Sequence, residues 1–263
     1  MKPDYKNWVP KGMVIGYFAG TAVALLLTVL FAIAGFTNGF IWSIVLFAVF
    51  AVLTLALLAV SIYMLIWHNT FSYTGKRRMS KQIVEGVADY VKLPAGGTCL
   101  DVGCGSGALS IAVAKRNPNA TVVGVDRWGK EYASFSRDLC KNNAIAEGVK
   151  NIAFQKGDAT ALNFPNEAFD AVTSNYVYHN IPSKDRQAIL LETLRVLKKG
   201  GTFALHDIFS KQKYGDMQAF VKKLKSMGYE KVELIDTTKG QFMSEKEAKY
   251  LFLSGSALFI GKK

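Results

Sequence analysis

Hydrophobic and polar positions divide the chain into two parts. From Gly12 to Trp67 there is no Lys, Arg, Asp or Glu, and no soluble core needs a charge-free run of that length. A membrane-spanning helix takes roughly 20 apolar residues, so the run has room for two. Asn38-Gly39 is a strong turn signal, which sets the expected spans at 13–35 and 41–67, a helical hairpin. Further on, short apolar runs alternate with helix-like stretches. Strands are predicted at 98–103, 120–126, 151–156, 169–174, 201–207, 231–236 and 256–261. Helices are predicted at 80–93, 106–116, 129–144, 183–198, 214–227 and 244–251. Ile83, Val84, Val87 and Val91 have helical spacing in the first of these, and Ser244 to Glu247 has the spacing of a capping box in the last. Strands alternating with helices predict an α/β fold with a doubly wound, mostly parallel sheet covered on both faces. No clear full-length helix separates the last two strands, so one of them is expected to run antiparallel. The resulting organisation is a basic tail at 1–11, the hairpin at 12–67, a linker at 68–79 and an α/β domain at 80–263.

Charge adds an orientation and a surface. Lys2, Lys6 and Lys11 against Asp4 precede the first span, Lys76, Arg77 and Arg78 follow the second, and the turn between them is uncharged. The positive-inside rule then puts both termini and the α/β domain on the cytoplasmic side of a membrane crossed twice. Ala32-Ile33-Ala34 offers the small-x-small pattern of a signal-peptide cleavage site, but the apolar stretch is long for that and a second span follows at once. The net charge is +12, nearly all of it beyond Trp67, which favours attraction to an anionic lipid surface. The lysines are scattered, and no basic run is interleaved with aromatics, so no nucleic-acid partner is expected. The linker is short, which keeps the domain near the bilayer, with Phe71 and Tyr73 suited to the interface. Gly12, Gly16, Gly20 and Ala24 put small residues on one face of the first span. That face suits close packing against the second span, with homodimerisation as the alternative.

The three cysteines, Cys99, Cys104 and Cys140, form no C-x-x-C pair and none lies near a His in sequence. They are expected as free thiols, with no metal site.

In a sheet of this kind a ligand binds beyond the carboxyl ends of the strands. The first strand ends in Asp101-Val102-Gly103-Cys104-Gly105-Ser106-Gly107 and leads into a helix, a turn suited to a nucleotide-like ligand. The second ends at Asp126, 19 residues past Gly107 and placed to accept hydrogen bonds from ribose hydroxyls. The third ends in Gly157-Asp158-Ala159, where an Asp can accept from an exocyclic amine of a base. Trp128 either lies against that base or packs in the core. The glycines run G-x-G-x-G rather than the G-x-G-x-x-G of nicotinamide enzymes, and no G-K-S/T follows them.

Taken in order, Asp101-x-Gly103-x-Gly105-x-Gly107, Asp126, Gly157-Asp158-Ala159 and the stretch from Arg195 to Gly201 resemble the class I S-adenosylmethionine-dependent methyltransferases over residues 80–263. The resemblance implies a seven-stranded, Rossmann-like sheet whose last strand inserts antiparallel. It implies S-adenosylmethionine as cofactor, with Asp101, Gly103, Cys104, Gly105 and Gly107 around its methionine part. Asp126 would bind the ribose, Asp158 with Ala159 would read the adenine, Arg127 would also bind the cofactor, and Asn175 would lie near the amino-acid end or the methyl group.

The acceptor side is less constrained. Tyr176, Tyr178 and His179 follow the fourth strand, and His206 and Asp207 close the fifth. His179 is the first candidate for a general base and His206 the second, if the acceptor is protonated. Tyr176 and Tyr178 either line the acceptor pocket or pack. Asn175-Tyr176-Val177-Tyr178 lacks the paired prolines of amino-methylating nucleic-acid enzymes. Arg195 to Gly201 is similar to the same stretch in quinone-biosynthesis C-methyltransferases and their small-molecule relatives, although the N-terminal signature of the quinone enzymes is missing. The hairpin suggests a small, lipid-like acceptor reached from the bilayer. The contrasting expectation is a membrane-anchored scaffold or sensor that binds the cofactor without catalysis.

Overall fold

The computed structural model describes residues 2–129 and 134–263. They form two compact units. One is Asn7–Lys81; the other is Gln82–Lys263 together with the residues before Asn7.

The first unit is the hairpin, α1 (Lys11–Asn38) and α2 (Ile41–Phe71). At 1.5 Å per residue these helices are about 42 and 46 Å long, more than the roughly 30 Å of a bilayer's hydrocarbon core. Both are long and apolar enough to cross a membrane. Hydroxyls set the seam between them. Thr21 Oγ1 meets Ser61 Oγ at 3.0 Å and Thr28 Oγ1 meets Thr54 Oγ1 at 3.1 Å. Each of the four also lies within reach of the carbonyl one turn back. One hydroxyl of each pair therefore donates across the seam and the other back along its own helix, so all four hydroxyls are paired. Phe31 stacks on Phe50, with centroids 5.5 Å apart, and Ala24 is buried. The expectation that the small-residue face packs within the hairpin needs correction. Ala24 does so, but a methyl group added at Gly12, Gly16 or Gly20 would meet nothing within 4 Å. The seam follows the hydroxyls, because these need partners and glycine does not.

The second unit is built on a seven-stranded sheet. Its strands are β1 (Thr98–Val102), β2 (Thr121–Asp126), β3 (Ile152–Lys156), β4 (Phe169–Asn175), β5 (Leu197–Ile208), β6 (Glu230–Asp236) and β7 (Ser256–Lys262). The order is β3-β2-β1-β4-β5-β7-β6. All pairs are parallel except the two made by β7, which is the antiparallel strand. The helices are α3 (Met79–Ala88), α4 (Ala108–Arg116), α5 (Arg137–Ala146), α6 (Arg186–Arg195), α7 (Lys211–Tyr214), α8 (Met217–Ser226) and α9 (Glu245–Tyr250). The order reverses at β1, whose neighbours are β2 on one side and β4 on the other. The loops after β1, β2 and β4 therefore open on one crevice.

Helix ends differ from the sequence pattern where capping decides them. The helix expected from 129 starts at Arg137, because the Ser136 hydroxyl accepts from Leu139 N at 3.1 Å; residues 130–133 lie outside the described part. The stretch 214–227 divides at Gly215, and Asp216 caps α8. The capping box at Ser244 and Glu247 is present. The tail at 1–11 does not stand apart. The Asn143 side chain brackets Asp4, accepting from its N at 2.7 Å and donating to its O at 2.9 Å. Tyr5 is buried and donates to Glu147 at 3.1 Å. The first residues thus form a strap on α5.

Candidate cofactor and acceptor site

The loop from Gly103 to Gly107 joins β1 to α4. Gly103 and Gly107 have φ of +73° and +81°, the left-handed region in which a Cβ is costly. Space forbids a side chain as well. A Cβ on Gly103 would lie 2.3 Å from Val177 Cγ2, and one on Gly107 would lie 3.0 Å from Phe154 Cζ. No side chain caps α4 and its first turn has no acid, so its N–H groups are available to an anionic group. The loop therefore presents backbone, with room for a ligand to approach.

Asp101 braces this loop from below rather than facing the crevice. It is 1% exposed and accepts from Ser110 Oγ at 2.5 Å and Thr173 Oγ1 at 3.1 Å, which ties β1 to α4 and β4. Burial pushes its carboxyl up to about 7. Cys104 is also buried, and burial raises its thiol. The three cysteines are free.

Asp126, at the end of β2, turns its carboxylate to the loop. Oδ2 accepts from Gly105 N at 2.9 Å and Oδ1 from Trp128 N at 2.7 Å. Trp128 holds φ of +41° and donates Nε1–H to Gly105 O at 3.0 Å, so its indole is fixed against the loop. Asp158 follows β3, and Gly157 N bonds Asp126 O at 3.0 Å, which brings these two acids to neighbouring strand ends. Asp158 accepts from Thr160 Oγ1 at 2.7 Å and Thr160 N at 2.8 Å. These bonds, with a smaller contribution from the exposed Arg127, hold its carboxyl below the usual range. Ala159 packs against the apolar core.

The candidate acceptor side is made of side chains. Val177 lies against Gly103, so the 176–180 turn abuts the glycine loop. Asn175 Oδ1 pairs with His206 Nδ1 at 2.8 Å, and His206 Nε2 pairs with Thr237 Oγ1 at 3.0 Å. His206 is fully buried, and burial pushes it down to about 3 although Asp207 is adjacent. It is a neutral ring with both nitrogens engaged. Tyr178 is also fully buried, its hydroxyl 3.0 Å from Thr193 Oγ1. Tyr176 is bent to φ of +55° and its hydroxyl lies 2.7 Å from Ser256 Oγ. Burial raises both phenols. His179 is set apart from His206. Its Nδ1 lies 2.5 Å from Asp207 Oδ1, and its side chain is 14% exposed. Asp207, fully buried, also accepts from Tyr178 N at 2.8 Å and His179 N at 3.3 Å through Oδ2. Sequence reasoning named Asp207 only as the neighbour of His206. An acid closing β5 beside a turn that carries a His was the available signal, but pairing across strands is not written in either segment.

Comparison with known proteins agrees with this geometry. The methyltransferase domain family matches residues 93–253. A demethylmenaquinone methyltransferase of Lactobacillus johnsonii is 34% identical over 113 residues, 42% of this chain and 43% of that protein. The ubiquinone/menaquinone biosynthesis C-methyltransferase UbiE of Desulfotalea psychrophila is 30% identical over 165 residues, 63% of this chain and 60% of that protein. The chain thus spans roughly half the length of these relatives. Among solved structures, geranyl diphosphate C-methyltransferase from Streptomyces coelicolor A3(2) superposes with a TM-score of 0.56 at 14% identity, covering 74% of this chain and 83% of that one. The cyclase SpnF does so with 0.54 at 19% identity, covering 70% and 81%. Both likenesses concern the fold. With the glycine loop, the strand-end acids and the antiparallel β7 all in place, the chain belongs to the class I S-adenosylmethionine-dependent methyltransferases.

Proposed function

We propose that this protein is a membrane-anchored enzyme that methylates a small, lipid-like acceptor at the cytoplasmic face of a membrane. The observation that carries the reading is the contact of Val177 with Gly103, which puts the His179 turn directly against the glycine loop. S-adenosylmethionine supplies a methyl carbon already activated on a sulfonium, so the protein's task is to align the acceptor and exclude water. In this reading Gly103, Cys104, Gly105 and Gly107 cradle the methionine part with backbone, and Asp101 braces them. Asp126 accepts from the ribose hydroxyls, Arg127 and Asp158 edge the adenine beside Ala159, and Asn175 borders the reacting end. His179 serves as base. The buried, neutral His206 orients Asn175, and Tyr178 packs, so neither reaches the acceptor. The names of the quinone methyltransferase relatives support an aromatic or quinone-like acceptor, and two apolar helices flanked by basic residues support the anchor and its orientation.

A contrasting reading, a cofactor-binding protein without methyl transfer, draws on the likeness to a cyclase of the same fold. One experiment separates them. The full chain is purified in detergent and given methyl-labelled S-adenosylmethionine with a total lipid extract. Label in a lipid product supports the enzyme; tight cofactor binding with no labelled product in any fraction supports the alternative.

A further inference from the structure

The pairing of His179 Nδ1 with the buried Asp207 bears on what kind of acceptor the site takes. Asp207 is surrounded by donors. Tyr178 N and His179 N reach Oδ2, while Ile208 N, at 2.6 Å, and the His179 ring reach Oδ1. A carboxylate held this way accepts and does not donate, so the imidazole must carry its hydrogen on Nδ1. That leaves Nε2 as a lone pair, and the described residues place no hydrogen-bond partner on it. The turn is clamped from behind as well. Lys213 Nζ donates to His179 O at 3.1 Å, and Arg186 Nε and Nη2 donate to Tyr178 O at 3.2 Å and Ile181 O at 3.0 Å. The Tyr176 ring stands edge-on to the imidazole, with centroids 5.9 Å apart.

We infer that Asp207 is a positioning residue that fixes His179 as the Nδ1–H tautomer with a basic Nε2, and that the acceptor is therefore a neutral hydroxyl compound of the phenol, enol or hydroquinone class rather than a ready nucleophile such as a thiolate or tertiary amine. This rests on the methyltransferase reading and names the acceptor chemistry of that same site. A ready nucleophile needs no base, and a buried, four-fold hydrogen-bonded carboxylate behind a histidine would then have nothing to do in the reaction. In the step that follows, the acceptor's O–H proton passes to Nε2. The freed electron pair forms the bond to the methyl carbon, at oxygen or at a conjugated ring carbon, whose displaced proton then re-forms the hydroxyl. The carbon–sulfur bond breaks with its electrons on sulfur. The imidazolium left behind is stabilised by the Asp207 carboxylate until the proton escapes to water.

Two measurements test this. The chain has three histidines, His68, His179 and His206, so nitrogen-15 imidazole spectra of the full protein can be assigned with His179→Gln and His206→Gln. The expected signature for His179 is a protonated Nδ1 and a bare Nε2; a neutral ring protonated on Nε2 overturns the proposal, whether or not any acceptor is methylated. The second measurement compares 1-naphthol with 1-naphthalenethiol, which ionises unaided at mildly alkaline pH, as acceptor probes. His179→Gln is expected to lower methylation of the naphthol by about 100-fold or more, the range of a lost general base, and to leave the thiol and cofactor affinity within about threefold. Equal loss on both probes marks a structural role and overturns it. In the lipid-extract assay, label on oxygen or on a carbon beside a hydroxyl supports the proposal, and label on sulfur or quaternary nitrogen overturns it. Cofactor binding with no labelled product from either source is failure of the methyltransferase reading, which the tautomer signature separates from failure of this one.

Discussion

The two sides of the crevice are built from different materials. On the cofactor side the chain offers backbone, with left-handed glycines, an uncapped helix start and carboxylates at the ends of β2 and β3. On the acceptor side it offers interlocked side chains, with Asn175 on His206 on Thr237 and His179 on Asp207. Backbone presentation tolerates little variation at Gly103 and Gly107, where a Cβ would strike Val177 and Phe154. Side-chain networks can be rebuilt from other residues provided every buried polar atom keeps a partner. The cofactor half is therefore the more tightly constrained of the two, and the acceptor half leaves more room for variation.

The largest effect expected on the cofactor side comes from Asp126→Ala. Charge-assisted hydrogen bonds contribute about 1.5–3 kcal/mol each, so losing two ribose contacts should weaken S-adenosylmethionine binding by about 100-fold or more by calorimetry. Unchanged affinity would contradict the assignment of the β2 end to the ribose. Next is Gly103→Ala, where the two halves touch. A left-handed non-glycine residue costs about 1–2 kcal/mol, and the new methyl must also displace Val177. Binding and stability should both fall, and Val177→Ala should restore part of the loss. A double-mutant cycle with no coupling would mean that the halves are independent.

A smaller effect concerns pH. His206 is held down to about 3 from 6.5 and Asp101 up to about 7 from 3.8, both by burial. Between those limits the unfolded chain binds the proton that folded His206 refuses, so acidification destabilises through His206. Folded Asp101 keeps a proton that the unfolded chain releases, so acidification stabilises through Asp101. One proton corresponds to about 1.4 kcal/mol per pH unit, and the two slopes oppose each other from about 3.8 to 6.5. Asp101→Asn should unmask a fall in melting temperature as pH drops from about 6.5 to 4. A slope no different from that of the unaltered protein would remove the buried acid from this account.

The smallest expected effect lies at the strap. Asn143 Nδ2 donates to Ser106 O at 3.0 Å as well as to Asp4 O, so Asn143→Ala frees the strap and one carbonyl of the glycine loop together. A loss of about 1–3 kcal/mol in stability is expected from the groups left unpaired, with a several-fold weaker cofactor affinity. A chain begun near Ser80 would lose the strap along with the hairpin. An activity deficit in such a truncation is attributable to the missing anchor only if deletion of residues 2–6 alone leaves activity unchanged.

The elements whose hydrogen bonds and burial follow from local pattern were legible without coordinates. The central strands β1, β2 and β4 sit where apolar runs predict them, because a strand covered on both faces must be apolar along its length; the edge strands β3 and β6 are more polar and exposed. The hairpin follows from charge exclusion, and the glycine loop from its spacing. Elsewhere local pattern misled. The Gly12, Gly16 and Gly20 face looked like the hairpin seam, but the hydroxyls of Thr21, Thr28, Thr54 and Ser61 decide it. His179 and His206 looked equivalent; one is a buried neutral ring between two polar partners and the other is held by a carboxylate from the neighbouring strand.

By itself the sequence determined the sheet, the cofactor class and two helices fit for a bilayer, since each rests on periodicity, backbone freedom or composition along a continuous segment. Only the tertiary structure decided that Asp101 braces the loop, that the first residues strap α5, and that Asp207 pairs with His179 and not with its own neighbour His206. Those outcomes depend on which side chains meet across strands distant in the chain. The free energy of such meetings is set by burial and the satisfaction of polar partners, which no single segment carries.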